Sequence, residues 1–443
     1  MNESLRPPPS RPESEISLEE ILSESDFVPL LKVQAQPMQR LLHLLQETDP
    51  GSWSKKHYFR LVDQAQSLES YLDDYGARSN RTTAYLVEIV ASLRGFGLSA
   101  YSLEHLRTRI DRYGLAEGAG KDFQEDLEST LVFLRKSLAG LIEAFVAESG
   151  RMGIENGETP MNAGQLEEAP VHHHLPANLD EAEVVQEKQK IAEVASCFID
   201  AADQFGAMEV RKLTGLPEMQ SYVKERCSEE TARALESVIH NLESTYDTYI
   251  KNTPVDTSDK NLPLLRGYVA VVLHLMEFVT HQVHFYVRHE NDVRDEGSKT
   301  KIAALVDKTA VLDRVVNFGL HHADRFMRFG RTVAEAILSS YTNIKTIRLS
   351  LPDDVKLHAR PASLIVSVVV HYGTPVELEV EGKRCNAASI MQVMITAGTH
   401  PHAQKLVFHG DERPLRDLEV LFKGGLGEKG LGELQEQLSY LKD

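Results

Sequence analysis

The run Lys356-Leu357-His358-Ala359-Arg360-Pro361-Ala362-Ser363 combines residue types that can handle a phosphoryl group. A neutral imidazole nitrogen of His358 is a competent nucleophile toward phosphorus near neutral pH. Arg360, two positions on, offers a planar fork of donors that matches phosphate geometry and keeps its charge. Upstream, Thr346-Ile347-Arg348-Leu349-Ser350-Leu351 alternates polar and apolar residues as a half-buried strand does. After Pro361 the period changes, and Ala362, Ile365, Val366, Val369 and Val370 fall at helical spacing. His358 is therefore expected in the loop that opens a helix, where free backbone N–H groups and the helix dipole favour an anion.

These residues and a second motif further on carry a family resemblance. Residues from about 345 to 443 resemble HPr, the histidine phosphocarrier of the bacterial phosphoenolpyruvate-dependent phosphotransferase system. Leu357, His358, Arg360, Pro361 and Ala362 match the run around that family's phosphorylated histidine. Ala388-Ser389-Ile390-Met391 with Val393 and Met394 resembles its second-helix segment, and Ser389 falls on the serine that regulatory kinases phosphorylate in some members. The resemblance implies an open-faced α/β sandwich. Its strands are expected near 345–351, 375–381, 383–388 and 404–410, with helices near 361–371, 389–396 and 412–423 on one face.

The resemblance also implies roles for residues and partners. His358 is the expected phosphoryl acceptor, charged by an enzyme I-like donor and discharged to a downstream acceptor or a regulatory target. Arg360 is expected to stabilise the phosphate, and a serine kinase would act at Ser389. Read by itself, Ser389 is equally an ordinary helix cap. Ile390, Met391 and Met394 can pack as core or form an adaptable docking surface. No cofactor is implied. Three departures stand out: Lys356 occupies a position where the family has glycine, Ile395-Thr396-Ala397 lengthens the second-helix segment by one residue, and the tail after Gly424-Gly425-Leu426-Gly427 extends past the usual ending.

The remaining three quarters of the chain read as helical. Its 443 residues allow two or three domains, and a hydrophobic content of 42% with 26% charge is ordinary for a globular protein. A net charge of -18 argues against nucleic acid or an anionic membrane surface as the main partner. Cys197, Cys227 and Cys385 have neither a disulfide framework's spacing nor a zinc site's, which fits a reducing cytoplasm. The N-terminus shows no secretory signal, and the most apolar run, Gly267 to Thr280, is interrupted by His274 and Glu277 and is short for a membrane span.

The expected organisation is a disordered tail over 1–17, a helical bundle over 18–149, a Gly/Pro-rich acidic linker over 150–178, a second bundle over 179–343 and the HPr-like domain over 344–443. Ser17 and Glu20 are placed as a capping box, and Pro29 and Pro37 as breaks in the first helix. Further helices are expected over Trp53–Tyr75, Arg81–Phe96, Ser102–Tyr113 and Lys121–Ala147, then Glu181–Phe205, Pro217–Asn252, Leu262–Arg294 and Lys299–Tyr341. The two bundles read as a duplication, because Leu68–Tyr75 and Leu242–Tyr249 share five of eight positions and each precedes a loop and an apolar helix.

Two histidine groups invite a metal reading. His172-His173-His174 lies in the linker, where no fixed geometry is expected. His274, Glu277, His281 and His284 line one helix face, and His321-His322 with Asp324 could approach from a neighbour. Without a Glu-x-x-His pair repeated on two helices, a polar stripe with no metal is the preferred reading. Two functions from different classes stay open: a phosphotransferase-system carrier, and an interaction protein whose HPr-like domain docks without obligatory phosphotransfer.

Overall fold

A computed structural model describes residues 21–155, 161, 163–166, 184–290, 296–352, 355–428 and 436–441. The 1–17 tail, the Ser17–Glu20 capping box, His172-His173-His174 and most of the 150–178 linker lie outside the described residues. The chain divides into two compact units that are discontinuous in sequence. One collects Met1–Gly97, Arg135–Glu168 and Asp292–Val306; the other collects Leu98–Leu134, Ala169–Asn291 and Asp307–Asp443.

The first unit is helical, and two of its helices, the third and fourth of the chain, run on into the 98–134 stretch that belongs to the second. Helix α1 (Glu24–Glu47) starts at Ser23, whose side chain accepts from the Asp26 amide, and it passes through Pro29 and Pro37 unbroken. Each interior proline costs a helix about 3 kcal/mol. Burial of Leu31, Met38, Leu41, Leu42 and Leu45, at about 1.5–3 kcal/mol per side chain, outweighs that cost. Helix α2 (Lys55–Asp74) packs against α1. The two helices expected over Arg81–Phe96 and Ser102–Tyr113 are one, α3 (Ala84–Arg109), followed by a 3-10 turn at Ile110–Tyr113. Gly97 does not end it. A Cβ there would stand 3.0 Å from a Val62 methyl, so the glycine permits close packing of α2 on α3. Helix α4 (Ala116–Arg151) contains one non-helical residue, Gly120 at φ 76.

In the second unit, α5 (Val184–Ala207), α6 (Leu216–Arg226), α7 (Glu229–Tyr249), the short α8 (Pro254–Ser258) and α9 (Asn261–Glu290) follow in order. The helix expected over Pro217–Asn252 is broken after Arg226, where Ser228 caps α7 by accepting from the Thr231 amide. The stretch expected as one helix over Lys299–Tyr341 is also divided. Helix α10 (Glu296–Leu305), in the first unit, ends before Asp307, which caps α11 (Lys308–Asp313). A π-helical turn, Arg314–Leu320, then leads into α12 (His321–Tyr341). Helix α12 packs on α5 and α9, and α7 packs on α9 and α5.

Helices α3 and α9 are long and apolar enough to cross a membrane by length and composition, and the fold buries 78% and 72% of their most apolar windows. That burial is the setting of core helices. The Gly267–Thr280 run, short on its own, is thus the middle of a 30-residue helix. All three cysteines are free, and burial pushes the Cys227 thiol up to about 12.

The C-terminal part of the second unit holds the only sheet among the described residues. Strands β1 (Ile344–Ser350), β2 (Val376–Val380), β3 (Lys383–Asn386) and β4 (Lys405–Asp411) pair antiparallel in the order β1-β4-β2-β3. Helices α13 (Ala359–Tyr372), α14 (Ile390–Thr399) and α15 (Glu412–Lys423) supply the other layer. Ala362, Ile365, Val368 and Val369 from α13 share a core with Leu378, Leu406, Phe408, Leu418 and Phe422. This is the open-faced sandwich expected from the resemblance, with α14 running three residues beyond its expected end. The tail closes over the core as well: Leu426 and Leu438 are fully buried in it. Asp417, almost fully buried, accepts hydrogen bonds from Tyr372 (2.9 Å), Tyr440 (2.6 Å) and Gln437.

The sandwich is fastened to the helices of its unit at two places. At the C-terminal end of α13, Gly373 (φ 62) lies so near α5 that a Cβ would stand 2.7 Å from the Glu193 Cγ, and Gln189 donates to the His371 carbonyl at 3.4 Å. At the entrance to β1, the Glu412 amide donates to the Asn343 carbonyl, while the Asn343 amide donates to Asp411. Glu412 also takes Lys345 at 2.7 Å, Arg416, and the Asn343 side chain at 2.7 Å. Lys345 first and Arg416 second hold its carboxyl down at about 2.

That depression has a pH signature. A carboxyl with a lowered folded-state pKa contributes stability that is present above its unfolded value near 4.3 and is lost as pH falls through its folded value. The melting temperature of Glu412→Gln should therefore lie below wild type at pH 6. The difference should shrink through pH 4 and close near pH 2, as followed by circular dichroism.

Candidate functional site

His358 is the N-cap of α13, with its own backbone extended at φ -101 and ψ -174. Its carbonyl accepts the Ala362 amide at 3.1 Å, which starts the helix, and its Nδ1 faces the Arg360 amide at 3.4 Å. The approach to it is a tight turn in which the His358 amide donates to the Lys356 carbonyl at 2.8 Å. Lys356 keeps a negative φ, so the glycine of the family pattern is not required for this loop. Pro361 falls within the first helical turn, where a missing N–H costs little. The pattern of Leu357 half-buried and His358, Ala359 and Arg360 exposed leaves the imidazole open to a partner, with 54% of its side chain accessible.

The second imidazole nitrogen has a partner that sequence reasoning missed. Glu428 Oε1 lies 3.1 Å from His358 Nε2. This is an ion-pair distance and not a hydrogen bond; the ring's hydrogen bond is the Arg360 amide donating to Nδ1, which turns the Nδ1 lone pair toward the helix start and leaves the proton of the neutral ring on Nε2. The Arg360 guanidinium forms no hydrogen bond or ion pair with the described residues, so its full set of donors is available to an incoming anion.

The regulatory and docking candidates gather on the neighbouring helix. Ser389 caps α14, its hydroxyl accepting the Gln392 amide at 3.4 Å, and the Gln392 side chain accepts the Asn386 amide at 3.0 Å. Helix α14 packs beside α13. Ile390 and Met391 are exposed, at 46% and 69%. Met394 is half-buried against the core, and Ile395, which the sequence reading left out of the docking surface, is exposed.

Three histidines of the helical region each meet a different carboxylate. His274 faces Glu277 at 2.8 Å, and Ser102 donates to the same carboxylate at 2.7 Å. Burial by itself would raise Glu277, yet His274 and Ser102 hold it below the ordinary glutamate range. His284 meets Glu229 at 2.9 Å, His322 meets Asp126 at 3.0 Å, and Asp324 pairs with Arg328. Among the described residues no three His, Cys, Asp or Glu side chains gather as metal ligands would.

Comparison with known families agrees with the C-terminal geometry. Residues 345–413 match the family described as the PTS HPr component phosphorylation site, and this domain is HPr-like. No family matches the helical region. No solved structure matches the chain.

The geometry at Ser389 fixes what a charge there would do to the fold. Aspartate caps helices as well as serine does and its charge suits the helix N-terminus. Ser389→Asp should keep the melting temperature of the chain close to wild type in a thermal scan. Ser389→Ala should lower stability by about 0.5 kcal/mol, the low end for a cap whose hydrogen bond is this long.

Proposed function

We propose that the protein is a phosphotransferase-system phosphocarrier in which His358 Nδ1 accepts a phosphoryl group from an enzyme I-like donor. The observation that carries this reading is the exposed imidazole at the start of α13, with Nδ1 turned to the Arg360 amide and an uncommitted Arg360 guanidinium two residues on. The Nδ1 lone pair attacks phosphorus, the bond from phosphorus to the donor breaks, and its electron pair leaves with the donor. Arg360 and the backbone N–H groups of the first turn hold the phosphoryl oxygens. Transfer onward reverses the step. The site must stabilise the adduct only moderately, because a carrier that binds its own phosphoryl group too well cannot release it.

The helical region is read as two related bundles with a regulatory task. Leu68–Tyr75 reaches the end of α2 and Leu242–Tyr249 the end of α7, each leading through a loop to a long apolar helix. The fastening of the HPr-like domain at Gly373 and Asn343 favours a carrier that works beside its helices over one on a free tether. Phosphate on His358, or on Ser389 through a serine kinase, would then alter a surface that a target protein reads. The compartment in this reading is the cytoplasm.

Incubation with phosphoenolpyruvate and enzyme I should give an acid-labile, base-stable phosphate that is absent from His358→Ala. Label that persists unchanged in His358→Ala would refute the assignment. Arg360→Ala should slow uptake about tenfold at an unchanged melting temperature, since an exposed side chain contributes little to packing. Ser389→Asp should raise the apparent KM for the carrier while kcat changes little, because the added charge must be partly dehydrated when Ile390 and Met391 meet the donor.

A further inference from the structure

We infer that Glu428 is a positioning residue for phosphoryl transfer at His358, an inference that rests on the phosphocarrier reading above. Glu428 lies 70 positions beyond His358 and outside the residues that match the HPr family, yet its carboxylate comes within 3.1 Å of Nε2. The backbone that delivers it is unusual. Gly425, Leu426 and Gly427 all have left-handed φ values, at 74°, 55° and 69°. Two are glycines, which adopt this region freely, but Leu426 is not, and a leucine is strained there. Its side chain is fully buried in the sandwich core, which over-determines the strained turn. The tail downstream is held as well, through Leu438 in the core and Tyr440 on Asp417, with Tyr440 also stacked 3.7 Å from the His371 ring.

The carboxylate has two effects on the imidazole. Its negative charge, at ion-pair distance from Nε2, favours the tautomer with the proton on that nitrogen, so that Nδ1 keeps the lone pair that the Arg360 amide now occupies and that attack would use. It also faces the charge that transfer creates. When Nδ1 bonds to phosphorus, the ring becomes a phosphoimidazolium that keeps its Nε2–H, and the positive charge it gains sits beside Glu428. When the Nδ1–P bond breaks, the electron pair returns to Nδ1 and the charge is lost; no proton leaves in either direction. A fixed anion whose interaction strengthens as the ring gains charge lowers the barrier more than it tightens the ground state. A buried aspartate behind a catalytic histidine has the same two duties in serine proteases.

The test uses the full chain and the variants Glu428→Ala and Glu428→Gln. Ring nitrogen-15 spectra of His358 at pH 8.5, taken without any donor, should show a pyrrole-like Nε2 and a pyridine-like Nδ1 in the wild type, with the two shifts moving toward each other in Glu428→Ala. With enzyme I and phosphoenolpyruvate, kcat for uptake should fall about fivefold in both variants at a KM within twofold of wild type, the size of a partly exposed charge contact. Glu428→Gln, which keeps the shape and loses the charge, separates electrostatic support from packing. A variant series with unchanged ring spectra and unchanged kcat overturns the role of Glu428 while leaving His358 as acceptor. A wild-type chain that takes up no phosphate overturns the phosphocarrier reading, and this inference with it.

Discussion

The seam between α13 and the sheet is the constraint on which the C-terminal domain depends. Ala362, Ile365, Val368 and Val369 bury one face of α13 against Leu378, Leu406 and Phe408, so the helix can neither rotate nor slide without exposing apolar surface worth several kcal/mol. Fixing the helix fixes its ends. At the N-terminus the chain must turn out of the seam, which leaves His358 as a cap with its ring in solvent. At the C-terminus Gly373 ends the helix in the left-handed conformation and meets α5. One packed interface therefore places both the exposed His358 imidazole and the attachment to the helices.

Sequence reasoning succeeded where the signal is local and the physics short-ranged. The change of period at Pro361, the cap at Ser389 and the alternation over 346–351 each depend on neighbours a few residues apart, and all stand in the fold at their expected positions. It overweighted punctuation: Pro29 and Pro37 do not break α1, and Gly97 does not end the helix before it, because buried apolar faces on either side outweigh a lost hydrogen bond or a flexible backbone. Glu428 was illegible. It carries no periodicity, lies 70 positions from His358, and reaches it only through a left-handed turn whose anchor, Leu426, reads in sequence as part of a glycine-rich tail. Asp417 was illegible for the same reason, since its partners Tyr372 and Tyr440 meet only once the tail has folded back.

In the helical region the line of imidazoles and carboxylates is used for side-chain hydrogen bonds between neighbouring helices and along them. A metal site needs several ligands to converge, and each must forgo other partners. Here Glu229, Asp126 and Glu277 each take one histidine, at distances of 2.8–3.0 Å, so most of these groups are already satisfied in pairs. Buried polar groups left single would be costly, and pairing two at a time is the least demanding solution for long helices packed at a fixed angle.

Magnitudes also decide how a phosphoryl group could reach the helices. α13 has 14 residues, about 21 Å of helix at 1.5 Å per residue. Fields between exposed charges are screened over about 8 Å at physiological salt, so phosphate at His358 cannot act electrostatically on the contact between Gly373 and α5. Nor can it act by shifting α13, because that would break the seam at a cost far above the contribution of one exposed phosphate contact. A charge added at His358 therefore stays a local change at the start of α13, the helix beside which α14 packs with Ile390 and Met391 exposed. The attachment to α5, at the other end of α13, is thereby insulated from it.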